Sequence, residues 1–445
     1  MTRDTPVRDN SGDLVDRRSV LASSGATITA LSLAGCLGDE SEEGTAESIS
    51  VAAVEGEGSW FDTLADEYLE DETGIEINVE LLPFDGLFEQ LVSVLDNRGD
   101  EFDVVFMDDP WFPRMANHLE PLEQWLPDGL PDELIQSTVD IATWPTPNEA
   151  VPPGADELEQ EVRGTVAVGN AQLFAYNTDH FDEVGEDPPE TWDDVLEAGQ
   201  AIDSELDDTA GFVLRGERGN PINASFYAVG GSMAGRMFDD DWSYNWSSTE
   251  GRDAIDLFAN ELADISPEGV TAYDSDEVIT AIGSGEAAQG LVWPGAASDM
   301  LDGTSEGDNI EFTVIPEGTQ YAPTQGNWIA SINTYTGDPQ KRAAGEVLQE
   351  FISREAQELY VEDGGVPFRH DIFEEYIDHE PWMEALYNSL PEALPRPRTT
   401  EWNEIEEDHG IILNNVLTDD MTVDEAVEQA EEDLEDILDR AGYYA

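Results

Sequence analysis

The sequence predicts an α/β protein whose first sheet is parallel and carries helices on both faces. Segments with strand and helix character alternate after residue 47, and the spacing of apolar residues switches between the two periodicities. A βαβαβ order of this kind makes the strands parallel. The chain has 445 residues, of which 40% are hydrophobic, so it can fill the cores of two or three domains.

The first five elements have distinct signals. Alternating or continuous apolar runs predict the strands, and apolar residues at helical spacing predict the helices, the first of which ends at a glycine. In chain order these elements are a strand at 48–54, a helix at 59–73, a strand at 75–82, a helix at 85–98 and a strand at 102–107.

Later elements are less regular. The Pro-rich residues 144–154 predict a loop. Ser247 followed by Glu250, and Thr422 followed by Glu425, predict capping boxes. The remaining predicted strands are 162–177, 289–292, 310–315 and 328–332, and the remaining helices begin at 191 or span 250–262, 339–362 and 423–440.

The charge of the chain is extreme. Eighteen basic residues face 101 acidic ones, which gives a formal net charge of −83. The acids are spread along the whole chain among many aromatic residues, unlike the blocks of a disordered acidic tail. At 1 M ionic strength the Debye length is roughly 3 Å, so such repulsion is screened. We therefore expect a protein of the halophilic, haloarchaeal type. Repulsion of phosphates excludes nucleic acid as a partner.

The amino terminus resembles an export signal. Arg17 and Arg18 precede a mildly apolar stretch that is too short and too polar to span a bilayer, as in twin-arginine signals. The stretch ends at Cys36, the only cysteine, in the sequence Leu-Ala-Gly-Cys, which resembles a lipobox. We expect residues 1–36 to be signal and lipobox, with the Cys36 thiol lipidated, and 37–47 to be an acidic tether. The alternative is an ordinary cleavage site with an incidental cysteine.

An ordered set of segments resembles the extracellular solute-binding proteins of the sugar class, the group that contains maltose-binding protein. They lie, in the family's order, at 102–111 (FDVVFMDDPW), 173–181 (LFAYNTDHF), 188–195 (PPETWDDV), 285–294 (GEAAQGLVWP), 326–328 (GNW) and 350–368.

The resemblance implies a two-lobe, periplasmic-binding-protein-like α/β fold that closes over its ligand, with three crossings between the lobes. We place the crossings near 169–170, 290–291 and 328–329. Lobe I is then 48–169 plus 291–328, and lobe II is 170–290 plus 329–445. Residues 144–161, rich in Pro and Glu, depart from the family pattern as an insertion.

Site candidates follow from what a sugar requires, which is flat aromatic surface and fixed hydrogen-bonding groups. Loops after the carboxyl ends of parallel strands line the crevice of such a sheet. An alternative for each Trp is packing in the core, to which we assign Trp125 and Trp192. The predicted ligand-binding residues are Trp60, Asp108, Asp109, Trp111, Asn170, Trp293, Asn327 and Trp328.

Several motifs are rejected as sites. The calcium-like run 239–250 has Tyr244 where glycine is needed. Gly283-x-Gly285 precedes a strand, unlike a dinucleotide motif, and Gly230-Gly231-Ser232-Met233-Ala234 lacks the last glycine of a nucleophile elbow. The five histidines show no metal spacing. We expect no cofactor, no metal and no catalytic residue.

The sequence therefore predicts a monomeric, non-enzymatic binding protein, lipid-anchored on the extracellular face of the membrane, that passes a sugar or related solute to an ABC permease. The rival prediction is a secreted, surface-tethered carbohydrate-active hydrolase or lyase. A third possibility keeps the fold and changes the ligand class. An anionic ligand would need basic residues in the cleft, for which the candidates are Arg215, Arg218, Arg236 and Arg369.

Overall fold

The computed structural model of the chain describes residues 44–301 and 304–444. Two sheets organise this part of the chain, and a two-stranded ribbon stands apart from both. The strands, in chain order, are β1 Ser48–Val54, β2 Glu76–Leu82, β3 Val104–Asp108, β4 Thr143–Trp144, β5 Glu161–Val162, β6 Thr165–Val168, β7 Leu173–Asn177, β8 Gln289–Val292, β9 Ile310–Thr313 and β10 Trp328–Ile332.

The first lobe is built on a five-stranded sheet in the order β2-β1-β3-β10-β6. Strands β1, β2 and β3 run parallel, as predicted, and β10 joins antiparallel to β3 and β6. The central strand β3 is buried along its length, which explains its continuous apolar run. The helices of this lobe are Ser59–Leu64, Glu70–Thr73, Phe84–Asp96, Phe112–Met115, Gln136–Ile141, Asp338–Phe351 and Arg354–Glu362, with a π-helical turn at Ala65–Leu69.

The second lobe is built on a three-stranded antiparallel sheet in the order β8-β7-β9. A large helical layer accompanies this sheet, and its two carboxyl-terminal helices pack on each other. The helices after residue 177 in this lobe are Thr178–Val184, Trp192–Glu205, Asn220–Ala234, Thr249–Asp256, Leu262–Asp264, Ser275–Ser284, Ala297–Leu301, Met383–Ser389, Trp402–Leu417 and Val423–Ala441, with a π-helical turn at Leu257–Glu261. Helix His370–Tyr376 packs on Arg354–Glu362 of the first lobe and on Met383–Ser389.

Strand pairing corrects the predicted lobe boundaries. The predicted strand 162–177 is three strands, and the chain leaves the larger sheet after β6 and enters the smaller one at β7, close to the crossing expected at 169–170. The crossing predicted at 290–291 is wrong, because that position lies inside β8, which pairs with β7. Position 328–329 lies inside β10, which pairs with β3. Most of 291–328 therefore belongs to the second lobe, and 329–362 belongs to the first.

Two local predictions also need correction, and a third is confirmed. The long helix 339–362 is interrupted where Ser353 caps a new helix by accepting a hydrogen bond from the Ala356 amide. The cap before 250 is Ser248, which accepts from Gly251, so Ser247 and Glu250 form no capping box. The capping box of Thr422 and Glu425 is confirmed.

The described end of the predicted tether is attached to the first lobe. The Ala46 amide donates to the Pro339 carbonyl at 3.0 Å, and the Arg342 guanidinium donates to the Gly44 carbonyl at 2.8 Å. Residues 44–47 therefore belong to the folded lobe and not to a tether, while Cys36 and the signal lie outside the described residues. No helix in the described part of the chain has the length and apolar character needed to cross a bilayer.

Candidate functional site

The two lobes meet at the carboxyl end of β1, where the following loop presents Glu57. Its Oε1 accepts a hydrogen bond from Asn170 Nδ2 at 2.7 Å, and its Oε2 accepts one from Trp328 Nε1 at 2.6 Å. Burial raises the pKa of Glu57 and the nearby charge of Asp108 adds to the rise, while these two hydrogen bonds and the charge of Arg215 oppose it. Among the described residues, no basic side chain forms an ion pair with this carboxylate.

Two partly buried tryptophans lie beside Glu57, and glycines let the backbone approach them. A Cβ atom at Gly295 would lie 2.7 Å from Glu57 Oε1 and 3.1 Å from the Trp60 ring. A Cβ atom at Gly326 would lie 2.5 Å from the Trp293 ring. The turn after β8 can therefore rest against the loop after β1 only because it carries glycine. Trp60 and Trp293 are where the sequence placed them, at the boundary between the lobes.

Trp111 belongs instead to an aromatic cluster. Its ring centroid lies 4.7 Å from Phe84, 5.0 Å from Phe88 and 5.8 Å from Trp328. Only 1% of Trp111 is exposed, so in this conformation its ring offers no surface for stacking. The predicted role of Trp111 as a ligand platform is corrected to packing, with Trp328 forming the edge of the same cluster.

Asp108 and Asp109, at the end of β3, face a buried arginine from the segment before helix Trp402–Leu417. Arg396 Nη2 donates to Asp108 Oδ1 at 2.6 Å and to Asp109 Oδ2 at 3.3 Å, and its Nη1 donates to Asp108 Oδ2 at 3.1 Å. Burial alone would lower the pKa of Arg396, but the two carboxylates outweigh it and raise that pKa. Arg396 thus compensates much of the charge of the two aspartates, but burial still raises the pKa of Asp109, and its Oδ1 accepts no hydrogen bond from the described residues.

Asp109 and Asn327 also fasten the backbone that enters β10. The Asn327 amide donates to Asp109 Oδ2 at 2.8 Å, and Asn327 Nδ2 donates to the Asn170 carbonyl at 3.1 Å. Arg398 Nη1 donates to the Asp109 carbonyl at 2.6 Å. Asp109 and Asn327 are fully buried, so their predicted contact with a ligand is corrected to a joint that holds the crossing chain.

Sequence reasoning missed four charged residues near this boundary. Arg396 and Arg398 had a signal, because Pro-Arg-Pro-Arg places two of only 18 basic residues together. Glu57 shares the loop that identified Trp60. Burial raises the pKa of Glu406 to about 7. No feature of the sequence distinguishes this residue from the other acids among the 101 in the chain.

The arginines that the sequence singled out have other partners. Arg215 pairs with Asp274, and Arg369 pairs with Asp371. Arg218 donates to Asn414 at 2.8 Å, and Arg236 pairs with Glu149. A described cation free to receive an anionic ligand is therefore not found at the boundary.

Several polar atoms at this boundary have no hydrogen-bond partner among the described residues. They include Asn170 Oδ1, Arg396 Nε and Trp111 Nε1, all of them buried. Buried donors and acceptors are nearly always paired, and each unpaired one costs about 1–3 kcal/mol. Of these atoms, Asn170 Oδ1 belongs to the side chain that contacts Glu57, where a hydroxyl group of a ligand, which both donates and accepts, could satisfy it.

A search for metal ligands over residues 44–301 and 304–444 finds no group of three or more His, Cys, Asp or Glu side chains arranged around a common point. In the calcium-like run, Asp241 caps its own turn by accepting from the Ser243 amide at 3.3 Å. The buried His409 contacts Tyr244 and Asn223, which are neutral partners.

The fold is that of a two-lobed binding protein. The sequence model of the bacterial extracellular solute-binding protein family matches residues 52–358, and the chain belongs to that family. The predictions of this fold and of a solute-binding protein are thereby confirmed at the level of the family. The rival prediction of a carbohydrate-active enzyme receives no support from it.

Individual relatives agree in fold. Maltose-bound MalE3 of T. maritima superimposes with a TM-score of 0.74 at 22% identity, covering 88% of this chain and 99% of that one. A solute-binding protein of Agrobacterium vitis with bound D-mannitol has a TM-score of 0.74 at 19% identity, covering 90% and 100%. A Sinorhizobium fredii protein named a probable amino-acid ABC transporter periplasmic-binding protein is 26% identical over 59% of this chain, and the match spans 59% of that relative's length.

Proposed function

We propose that this protein binds a neutral sugar or polyol between its two lobes and delivers it unchanged to an ABC permease. Support comes from the structural relatives, whose ligands include maltose and D-mannitol. The boundary supplies the groups such a ligand needs. Trp60 and Trp293 retain exposed ring surface, and Asn170 and Glu57 supply polar atoms beside them.

The observation that carries the proposal is the environment of Glu57. Its carboxylate is held by two neutral donors, Asn170 and Trp328, and no described cation pairs with it. A carboxylate has about four acceptor positions, so Glu57 can accept further hydrogen bonds from ligand hydroxyls. A sugar phosphate would bring its anion next to this carboxylate. The α-carboxylate of an amino acid would need a cation of its own, and the four arginines considered above already have partners. The ligand we propose is therefore neutral.

Location and habitat extend the proposal. A lipid on Cys36 would hold the protein at the extracellular face of the membrane, and the charge of −83 suits a surface in molar salt. Replacement of Cys36 by Ser should release the protein from the membrane fraction. Equal partitioning of Cys36→Ser and wild-type protein would refute the anchor without affecting the binding function.

The binding function is tested by thermal unfolding in molar KCl with maltose, D-mannitol, ribitol, glucuronate and neutral amino acids. A ligand at 100 times its Kd should add about 2.7 kcal/mol to the free energy of unfolding. We expect stabilisation by at least one neutral polyhydroxyl compound, recovered unchanged after incubation. Stabilisation by amino acids or glucuronate alone would contradict the proposal.

A further inference from the structure

The segment 145–160, here called the strap, leaves and re-enters the first lobe at one place. Strands β4 and β5 pair at its base, and Gln160 Nε2 donates to the Pro145 carbonyl at 3.2 Å. Arg163, just beyond, donates to the Leu119 carbonyl at 2.6 Å. The strap is therefore fixed to the first lobe at both ends.

The middle of the strap is held by the second lobe. Arg236, which follows helix Asn220–Ala234, donates from Nη2 to the Asn148 carbonyl at 2.7 Å and to Glu149 Oε1 at 3.0 Å. Asn148 has a left-handed backbone with φ of 61°, a conformation that asparagine tolerates. Arg398, which lies close to Arg396, donates from Nε to Thr146 Oγ1 at 3.0 Å. Both basic groups reach the strap from outside the first lobe.

These contacts are partly shielded from water. The Glu149 side chain is 16% exposed and that of Arg236 is 38% exposed. Burial raises the pKa of Glu149, and the charges of Arg236 and Arg398 oppose that rise. An ion pair with one partner this sheltered keeps more of its strength in salt than a pair on the open surface.

We propose that the strap is a latch, in which Arg236 of the second lobe grips Asn148 and Glu149 of the first and holds the two lobes in the arrangement seen here. Separation of the lobes must break both hydrogen bonds of Arg236. The latch therefore lowers the population of the open form and slows exchange of solute at the boundary site. This regulation rests on the proposed binding function, but its test needs no ligand.

The test measures the distance between the lobes. Full-length protein carrying Cys36→Ser receives spin labels at Glu89→Cys in the first lobe and Glu197→Cys in the second, both exposed positions. Double electron–electron resonance then gives the distance distribution in molar KCl without ligand. We expect Arg236→Gln to raise the ratio of longer to shorter distances about fivefold, as loss of one partly exposed charged contact should.

Two matched variants serve as controls. Asp240→Asn removes the Arg236 contact that lies within the second lobe, at 3.5 Å, and Arg252→Gln removes an ion pair with Asp424 in the same lobe. Both should keep the wild-type distribution, whereas Glu149→Gln should shift it in the direction of Arg236→Gln. A distribution for Arg236→Gln that matches wild type, with circular dichroism showing a folded protein, would overturn the latch. Solute binding by the wild-type protein would stand in either case.

Discussion

Carboxylates at the ends of two adjacent strands have opposite environments in this protein. Asp108 and Asp109, after β3, meet the buried guanidinium of Arg396, which is 3% exposed in its side chain. Glu57, after β1, accepts hydrogen bonds from the neutral donors Asn170 and Trp328 and lies within range of the charge of Arg215, which pairs with Asp274. Both groups lie at the same edge of the sheet, where parallel strands deliver their loops.

This difference distinguishes the carboxylates that hold the chain together at that edge from the one that is available to a ligand. The aspartates share a buried guanidinium that compensates much of their charge, whereas Glu57 is held by neutral donors and forms no ion pair among the described residues, so its remaining acceptor positions carry a charge that no protein cation pairs with. We infer that Asp108 and Asp109 hold the lobes together and that Glu57 binds the solute. Each of the following changes tests one side of this comparison.

The largest effect is expected at the joint. Arg396→Met leaves two buried carboxylates without their cation, and breaking a buried pair in this way costs about 3–5 kcal/mol. Urea unfolding in molar KCl measures the loss. Arg440→Met, which removes an exposed pair with Glu404, is the matched control and should change stability little. Equal stability of the Arg396 variant and wild type would show that the aspartates do not depend on it.

A smaller, pH-dependent effect is expected at Glu406, next to the joint. Burial raises the pKa of Glu406 from 4.5 to about 7, so between these values the folded protein holds a proton that the unfolded chain has lost. Its contribution to stability therefore falls as pH rises toward 7. The Glu406→Gln variant does not suffer this loss. Its free energy of unfolding should therefore exceed that of the wild type by about 2 kcal/mol at pH 8 and by almost nothing near pH 4.5.

Unfolding in urea at a series of pH values, in constant molar KCl, measures this difference. Glu404→Gln is a control on the same helix, since Glu404 is exposed. A Glu406→Gln variant that is less stable than wild type at pH 8 would show that the carboxylate is charged and paired in the folded protein.

The sheet of the first lobe could be predicted because its strands have local signals. Residues 48–54, 104–108 and 328–332 are each short and rich in apolar residues, and the structure pairs all three as neighbours or near neighbours. The second crossing between the lobes could not be predicted, because residues 289–292 would form an equally good strand in either lobe. Only its pairing with β7 assigns it, and pairing partners are not encoded in a local pattern.

The positions of several site candidates could be predicted for a similar reason. Proximity to strand ends places Trp60, Trp293, Trp328 and Asn170 at one boundary, and their contact with a ligand stays a prediction. It could not tell an exposed indole from a buried one, and the apolar residues Phe84 and Phe88 cover Trp111 from another helix. The position of a strand end also gives no indication that Arg396, nearly 290 positions later in the chain, pairs with Asp108.

The most direct test of our central claim is the affinity of Glu57→Gln for the neutral compound that most stabilises the wild-type protein, measured by calorimetric titration in molar KCl. Glu311→Gln is the matched control, because Glu311 accepts a hydrogen bond from Tyr176 in the second lobe, on strand β9. We predict that Glu57→Gln raises Kd about tenfold or more, as loss of a charged hydrogen bond should, with Tm nearly unchanged and Glu311→Gln like wild type. An unchanged Kd for Glu57→Gln would contradict the assignment of Glu57 to the solute site.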